Sequence, residues 1–171
     1  MKALIAALFA LSLIIPSCSE RTATTEDEAT KRDSTITISG LGRELLLNVP
    51  VDLARSYTLQ SWYNTTTGEV EITAGENLRV LLTEESLSIA ELKAELDTDI
   101  FYRYRYESAN PNELIFVQIL PDGTEYSYQF IRRYEIPGIT VISRSDPSGK
   151  YTKQDIQTMM NITGKLESAA S

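Results

Sequence analysis

The run Leu-Ile-Phe-Val-Gln-Ile-Leu at residues 114–120 is apolar at nearly every position. Turn-forming segments bound it on both sides, Asn-Pro-Asn at 110–112 and Pro-Asp-Gly at 121–123. A short, bounded apolar run is typical of a β-strand, and a strand that is apolar on both faces lies inside a sheet and is covered on both sides. The chain must therefore build a sheet with other structure packed on each face.

The segments beside this run alternate with a period of two, as half-buried strands do. In residues 100–107 the tyrosines fall on one face, whereas Arg103 and Arg105 fall on the other. Residues 125–133 follow Asp122-Gly123, a strong hairpin signal, and carry a second aromatic stripe. By the same pattern, we expect further strands at residues 36–38, 45–49, 57–63, 69–74, 78–82 and 139–143.

Two segments carry the signals that start helices. Ser88 with Glu91 forms a capping box ahead of apolar residues at helical spacing. Thr152 with Asp155 opens a second helix, whose apolar stripe comprises Ile156, Met159, Met160, Thr163 and Leu166. The predicted fold class is therefore α+β, with an antiparallel sheet of about seven to eight strands packed with a mid-chain helix and a C-terminal helix, in a single domain over residues 35–171.

The order of these elements resembles the PsbP-like fold, which is shared with the Ran-binding Mog-type proteins. The resemblance rests on a strand closed by Pro50, a meander, the helix after Ser88, four antiparallel strands, and Tyr151-Thr152 opening the last helix. It covers residues 35–166 and implies a fold rather than an activity. An unrelated arrangement of one sheet and two helices is the alternative.

The first residues have the pattern of a signal peptide. Lys2 supplies a positive charge, and residues 3–15 are apolar apart from Ser12. A run of this length is too short to span a bilayer comfortably, so it is better explained as the apolar region of a signal peptide. Residues 1–17 are therefore predicted to be removed from the mature protein.

The residues around the cleavage point resemble the lipobox of bacterial lipoproteins. Ile15, Ser17 and Cys18 match the aliphatic, small and cysteine positions of that motif, and Pro16 is a less usual residue between them. The resemblance implies that Cys18 carries a diacylglycerol and a further acyl chain, enough to anchor a protein stably in a membrane. The alternatives are an ordinary secretory signal in which Cys18 is incidental, and a buried apolar helix.

A polar segment separates this anchor from the predicted domain. Residues 19–34 contain only Ala23 and Ala29 as apolar residues, so they cannot bury enough surface to offset the entropy of ordering. We expect residues 18–34 to form a lipidated, flexible tether. Ser19 directly after the cysteine implies outer-membrane sorting by resemblance to proteobacterial lipoproteins, although other bacterial groups read different residues. The predicted location is the bacterial cell envelope.

Composition excludes several kinds of function. The chain has no histidine and one cysteine, which rules out Ser-His-Asp and Cys-His catalysis and histidine-ligated metal sites. The net charge of the chain is −8, and it becomes −9 when residues 1–17 are removed, because Lys2 is the one charged residue among them. This negative charge argues against a nucleic-acid partner.

Asp97 and Asp99 resemble the start of a calcium loop, but the apolar and aromatic residues that follow lack oxygen ligands. No cofactor or metal is expected.

Three arginines are the candidate ligand-binding residues. Arg103, Arg105 and Arg133 could converge as a cationic patch that binds a carboxylate, phosphate or anionic sugar of an envelope protein or small ligand. The alternative is that they pair with Glu107, Glu113 and Glu125 across strands. The tyrosine stripes likewise either bind a ligand or belong to the core with their hydroxyls at its rim.

Two classes of function remain open. The favoured one is a lipid-anchored cell-envelope protein with a non-catalytic binding or accessory role, attached to the membrane through Cys18. The alternative is a cell-envelope hydrolase that works with carboxylates alone. A cleft that holds two close carboxylates with pKa values pushed apart would distinguish the second class from the first.

Overall fold

A computed structural model describes residues 34–169. The predicted signal peptide, the lipidation site at Cys18 and the tether up to residue 33 lie outside the described residues. The described chain contains ten strands and three helices. In order, they are β1 Ser34–Leu41, β2 Arg43–Val49, α1 Val51–Ser56, β3 Leu59–Asn64, β4 Glu69–Ala74, β5 Leu78–Glu84, α2 Ile89–Leu96, β6 Arg103–Asn110, β7 Glu113–Ile119, β8 Glu125–Ile136, β9 Ile139–Ser145, α3 Lys153–Ile162 and β10 Leu166–Ser168.

Seven strands form one antiparallel sheet in the order β3-β4-β5-β9-β8-β7-β6. The predicted α+β class, with a sheet of about seven to eight strands, a mid-chain helix and a C-terminal helix, is confirmed. The apolar run forms β7, which lies inside the sheet between β6 and β8. Leu114 and Val117 are fully buried there, as a strand covered on both faces requires.

A second, three-stranded sheet has the order β1-β2-β10. The short strand β10 pairs with β2, with Leu166 opposite Leu47. Leu166 therefore belongs to a strand and not to the apolar stripe of the last helix, which ends at Ile162. The predicted apolar stripe was wrong at Leu166. An apolar residue four positions after the end of a helix has the same spacing in the sequence as one more residue of the helix's apolar face.

Helix α1 was not predicted from the sequence. It is only six residues long, has no buried residue, and follows Pro50, whose fixed φ suits the residue that precedes a helix. Helices α2 and α3 begin where their capping boxes predict, at Ser88 and Thr152. None of the helices within residues 34–169 is long and apolar enough to cross a membrane.

The large sheet separates two apolar cores. The larger core lies between one sheet face, the small sheet and α3, and it includes Phe130 and Met159. The smaller core lies on the opposite face under α2, where Ile89 and Leu92 pack on Phe116. Because α2 covers only part of that face, the sheet and the end of the helix together leave room for a cavity.

Candidate functional site

A cavity of about 310 Å³ lies where the C-terminal end of α2 meets the large sheet. Cavities of this size with mainly apolar walls and a few polar groups are typical of small-molecule sites. The end of α2 and the segment after it form one wall, and strands β6 to β9 form the floor. Its lining residues are Leu96, Asp99, Tyr102, Tyr104, Phe116, Gln118, Gln129, Phe130, Ile131, Arg144, Ser145 and Pro147.

Aromatic rings form much of the wall. The ring of Tyr104 meets the buried ring of Phe116 edge to face, with centroids 5.4 Å apart and planes at 75°. Tyr102 lies beside Tyr104 with a centroid distance of 6.5 Å. Edge-to-face contacts of this kind favour a defined ring geometry, so Phe116 helps to position the Tyr104 ring in the cavity wall.

Two buried glutamines provide polar groups at the floor. The Nε2 of Gln129 donates to the hydroxyl of Ser127 at 3.0 Å and lies 3.5 Å from Oε1 of Gln118. The Oε1 of Gln129 accepts from the hydroxyl of Ser145. Gln118 and Gln129 are 6% and 2% exposed, which is unusual for amides outside a satisfied network or a site. These contacts orient the amides within the cavity lining.

Arg144 supplies a positive charge to the lining. Its Nη2 pairs with Oε1 of Glu69 on β4 at 2.7 Å. Its Nε is buried and has no hydrogen-bond partner among the described residues. The guanidinium is therefore held by one ion pair and keeps part of its donor capacity unused.

Two tyrosine hydroxyls fasten the strand β6 to the end of α2. Tyr104 donates to Oδ2 of Asp99 at 2.5 Å, and Tyr106 donates to Oδ1 of Asp97 at 2.6 Å. Hydrogen bonds from the Tyr104 hydroxyl and the Phe101 amide hold the pKa of Asp99 below its usual range. Burial and the Asp99 partner raise the pKa of Tyr104. The tyrosines are thus half-buried, with hydroxyls at the rim of the core.

The pair Asp97 and Asp99 is unsuited to general acid catalysis. The pKa of Asp97 is also lowered, mainly by its hydrogen bonds with Lys93 and Tyr106. A carboxylate-based hydrolase needs one carboxyl group with a raised pKa to donate a proton. Of the described residues that line the cavity, Asp99 is the one carboxylate. Within residues 34–169 no group of three or more acidic or cysteine side chains is placed to hold a metal ion.

The structure brings Arg103 and Arg105 together but does not bring Arg133 to them. In the sheet, Arg105 lies directly opposite Val117 on β7, and Val117 lies directly opposite Tyr128 on β8. Residues that lie opposite each other on neighbouring strands share a sheet face. Arg133 is an odd number of positions beyond Tyr128, so it lies on the opposite face. The predicted convergence of the three arginines is therefore wrong. The registers of β6 with β7 and of β7 with β8 place Arg133 on the opposite face of the sheet from Arg105.

The partners of these arginines are acidic side chains. Arg105 pairs with Glu125 at 2.6 Å and with Glu107 at 3.3 Å, as the alternative interpretation proposed. Arg133 pairs with Glu135, two residues along the same strand. Arg103 is exposed and forms no ion pair with another described residue. A ligand-binding role for these arginines stays a prediction.

Other residues were missed by sequence reasoning. Glu113 pairs at 2.6 Å with Arg132, which was not singled out, and not with the candidate arginines. Gln118 was visible as the polar residue that interrupts the apolar run, and that interruption is a usable signal. Arg144 and Gln129 gave no comparable signal, because each sits in an ordinary alternating strand.

No family model, curated protein sequence or solved structure matches this chain.

Proposed function

We propose that this chain is a lipid-anchored protein of the bacterial cell envelope, in the outer membrane, whose domain binds a small molecule without catalysis. The lipid on Cys18 holds it to the membrane, and the cavity under α2 is the binding site. The observation that carries the binding role is the cavity itself, with aromatic walls and buried glutamine amides at its floor.

The lining selects a chemical class of ligand. Phe116 and Ile131 favour an aliphatic or aromatic body. Arg144 and Gln118 favour a carbonyl or carboxylate group on that body, since guanidinium and amide N–H groups are donors. The ligand is thus a small molecule with an apolar body and a hydrogen-bond acceptor.

Binding is tested with a pair of matched variants. Leu96 and Leu87 are both half-buried leucines packed on the smaller core, but only Leu96 lines the cavity. A fragment library rich in aromatic and aliphatic carboxylic acids and amides is screened by ligand-observed NMR. We expect hits whose affinity falls about tenfold or more in Leu96→Phe and changes less than about twofold in Leu87→Phe. Equal loss in both variants, or no hits for the wild type, contradicts the binding role.

The anchor is tested separately. The full chain is expressed in a bacterium that is fed a labelled fatty acid, and membranes are fractionated. The wild type is expected to carry label and to fractionate with the outer membrane, whereas Cys18→Ala is expected to lose both properties. A Cys18→Ala chain that keeps its label and its membrane fraction contradicts the anchor.

A further inference from the structure

Two adjacent apolar side chains project from the segment between α2 and β6. Ile100 is 87% exposed and Phe101 is 72% exposed, and we call these two residues the apolar tip. The sequence pattern placed them in a strand, but β6 begins only at Arg103. Single exposed apolar residues are common on protein surfaces, whereas two adjacent side chains this exposed form one contiguous apolar patch, and such patches are often functional.

The backbone of the apolar tip is fixed. The Oδ1 of Asp99 accepts from the amide of Phe101 at 2.7 Å and from the amide of Tyr102 at 3.2 Å. The amide of Asp99 itself donates to the carbonyl of Leu96, at the end of α2, at 3.0 Å. The two side chains are thus held away from the domain by a formed turn, which lowers the ordering entropy that a contact would cost.

The surroundings of the tip combine aromatic and basic side chains. The rings of Tyr102 and Tyr126 lie 5.7 Å apart, and the Nζ of Lys150 lies 5.4 Å from the centroid of Tyr126. Arg103, two residues after Phe101, is exposed. Tyrosine, lysine and arginine around an apolar insert are the residues that proteins place at the boundary of a lipid bilayer.

The size of the tip favours a bilayer over a protein. From their exposed fractions, Ile100 and Phe101 present roughly 300 Å² of apolar surface, taking about 200 Å² for a whole large side chain. A stable protein interface needs about 800 Å² from each partner. Insertion at a membrane interface requires only an apolar element a few ångströms deep, especially when a lipid anchor already holds the protein nearby.

We propose that the apolar tip inserts into the interface of the bilayer to which the chain is anchored, an inference that rests on the proposed lipidation of Cys18. Sixteen peptide units separate Cys18 from Ser34 and span at most about 58 Å. Ser34 lies beside the start of β3, which is one edge strand of the large sheet. From β3 to β6 at the other edge, the seven strands of the sheet span roughly 29 Å. The connection is therefore long enough for the tip and the anchor to share one membrane.

Insertion has a consequence for the cavity. Asp99 and Tyr102 flank the apolar tip and also line the cavity. A docked tip therefore turns this wall of the cavity toward the membrane surface, where amphiphilic molecules with an apolar body and a carbonyl or carboxylate group concentrate.

The test uses the lipidated full chain in phosphatidylcholine vesicles, with and without brominated acyl chains that quench indole fluorescence. Trp62 is first replaced, and Phe101→Trp is then introduced in this Trp62→Phe background. The matched control is Thr66→Trp in the same background, since Thr66 is exposed in the turn between β3 and β4 at the other sheet edge. Flotation establishes that each chain is vesicle-bound before its fluorescence is read.

We expect brominated vesicles to lower the emission of the Phe101→Trp chain about twofold or more and to leave the Thr66→Trp chain within about a tenth of its unquenched value. A floating chain in which the two indoles respond equally, whether quenched or unquenched, overturns the insertion of the tip and leaves the anchor intact. A chain that does not float overturns the anchor and the insertion with it. A photo-crosslinker at position 101 that captures one protein in cell membranes, and no lipid, also overturns the proposal.

Discussion

The hydroxyl of Tyr104 donates a 2.5 Å hydrogen bond to Oδ2 of Asp99, and so joins the start of strand β6 to a residue that lines the cavity. Tyr106, two residues further along β6, likewise donates to Oδ1 of Asp97, two residues before Asp99. Because α2 is only eight residues long and has two buried side chains, Ile89 and Leu92, these two bonds add to the packing that holds the helix on the sheet.

Loss of the Tyr104 hydroxyl should loosen this attachment. For Tyr104→Phe we expect the free energy of unfolding to fall by about 1 kcal/mol, because the charged Asp99 loses its side-chain donor but stays accessible to water. Urea denaturation of the described domain measures the change. Tyr63→Phe is the control, since the Tyr63 hydroxyl forms no hydrogen bond within the described residues and should leave stability nearly unchanged. Equal losses in both variants would contradict the attachment.

Acid should destabilise the domain through the same aspartates. Hydrogen bonds lower the pKa of Asp97 and Asp99 in the folded state, so their contribution to stability is complete above the unfolded value of 3.8. It is lost as the pH falls below 3.8 and through the lower folded pKa values. The urea midpoint, followed from neutral pH downward, should therefore drop in this range. A double variant, Asp97→Asn with Asp99→Asn, should show a shallower drop, and an unchanged one would contradict the assignment.

Alkali should destabilise the domain through tyrosines. Burial, followed by the charge of Asp146, raises the pKa of Tyr151 to about 12, and the pKa of Tyr104 and of Tyr106 is raised as well. A raised tyrosine pKa gives stability that is complete below the unfolded value of 10.0 and is lost as the pH rises through the folded value. The tyrosinate absorbance of the folded domain should show a late-titrating group, and Tyr151→Phe should diminish it. A titration that is complete near pH 10 would contradict this expectation.

The start of α3 should depend on one hydroxyl. The Oγ1 of Thr152 accepts from the amide of Asp155 at 3.2 Å, and Oδ2 of Asp155 accepts from the amide of Thr152 at 2.8 Å. Thr152→Ala should lower the free energy of unfolding by about 1 kcal/mol, whereas Thr152→Ser should retain most of it. Thermal unfolding followed by circular dichroism measures both. If serine is no better than alanine, the hydroxyl is not the stabilising group.

Local signals in the sequence predicted much of the fold. The capping boxes at Ser88 and Thr152 specify helix starts through contacts three residues apart, and turn residues such as Gly123 specify hairpins in the same short range. Strand β10 escaped prediction because it is only three residues long and exists by pairing with β2, more than a hundred residues earlier.

The candidate site was much less predictable. Whether Arg105 and Arg133 share a face depends on the registers of two successive strand pairs, and a one-residue change in either would reverse the answer. The cavity depends on where α2 ends relative to β7 and β8, which tertiary packing decides. Exposure of Phe101 likewise followed from where β6 begins and not from its own sequence pattern.

The most direct measurement is protein-observed NMR of the glutamine side-chain amides while a fragment hit is titrated. Gln118 and Gln129 line the cavity and are 6% and 2% exposed. Binding under α2 predicts saturable shifts of both side-chain amide signals in the wild type and in Leu87→Phe, and their loss in Leu96→Phe. Hits that leave both amides unshifted, or that shift them equally in the two variants, would contradict the cavity as the binding site.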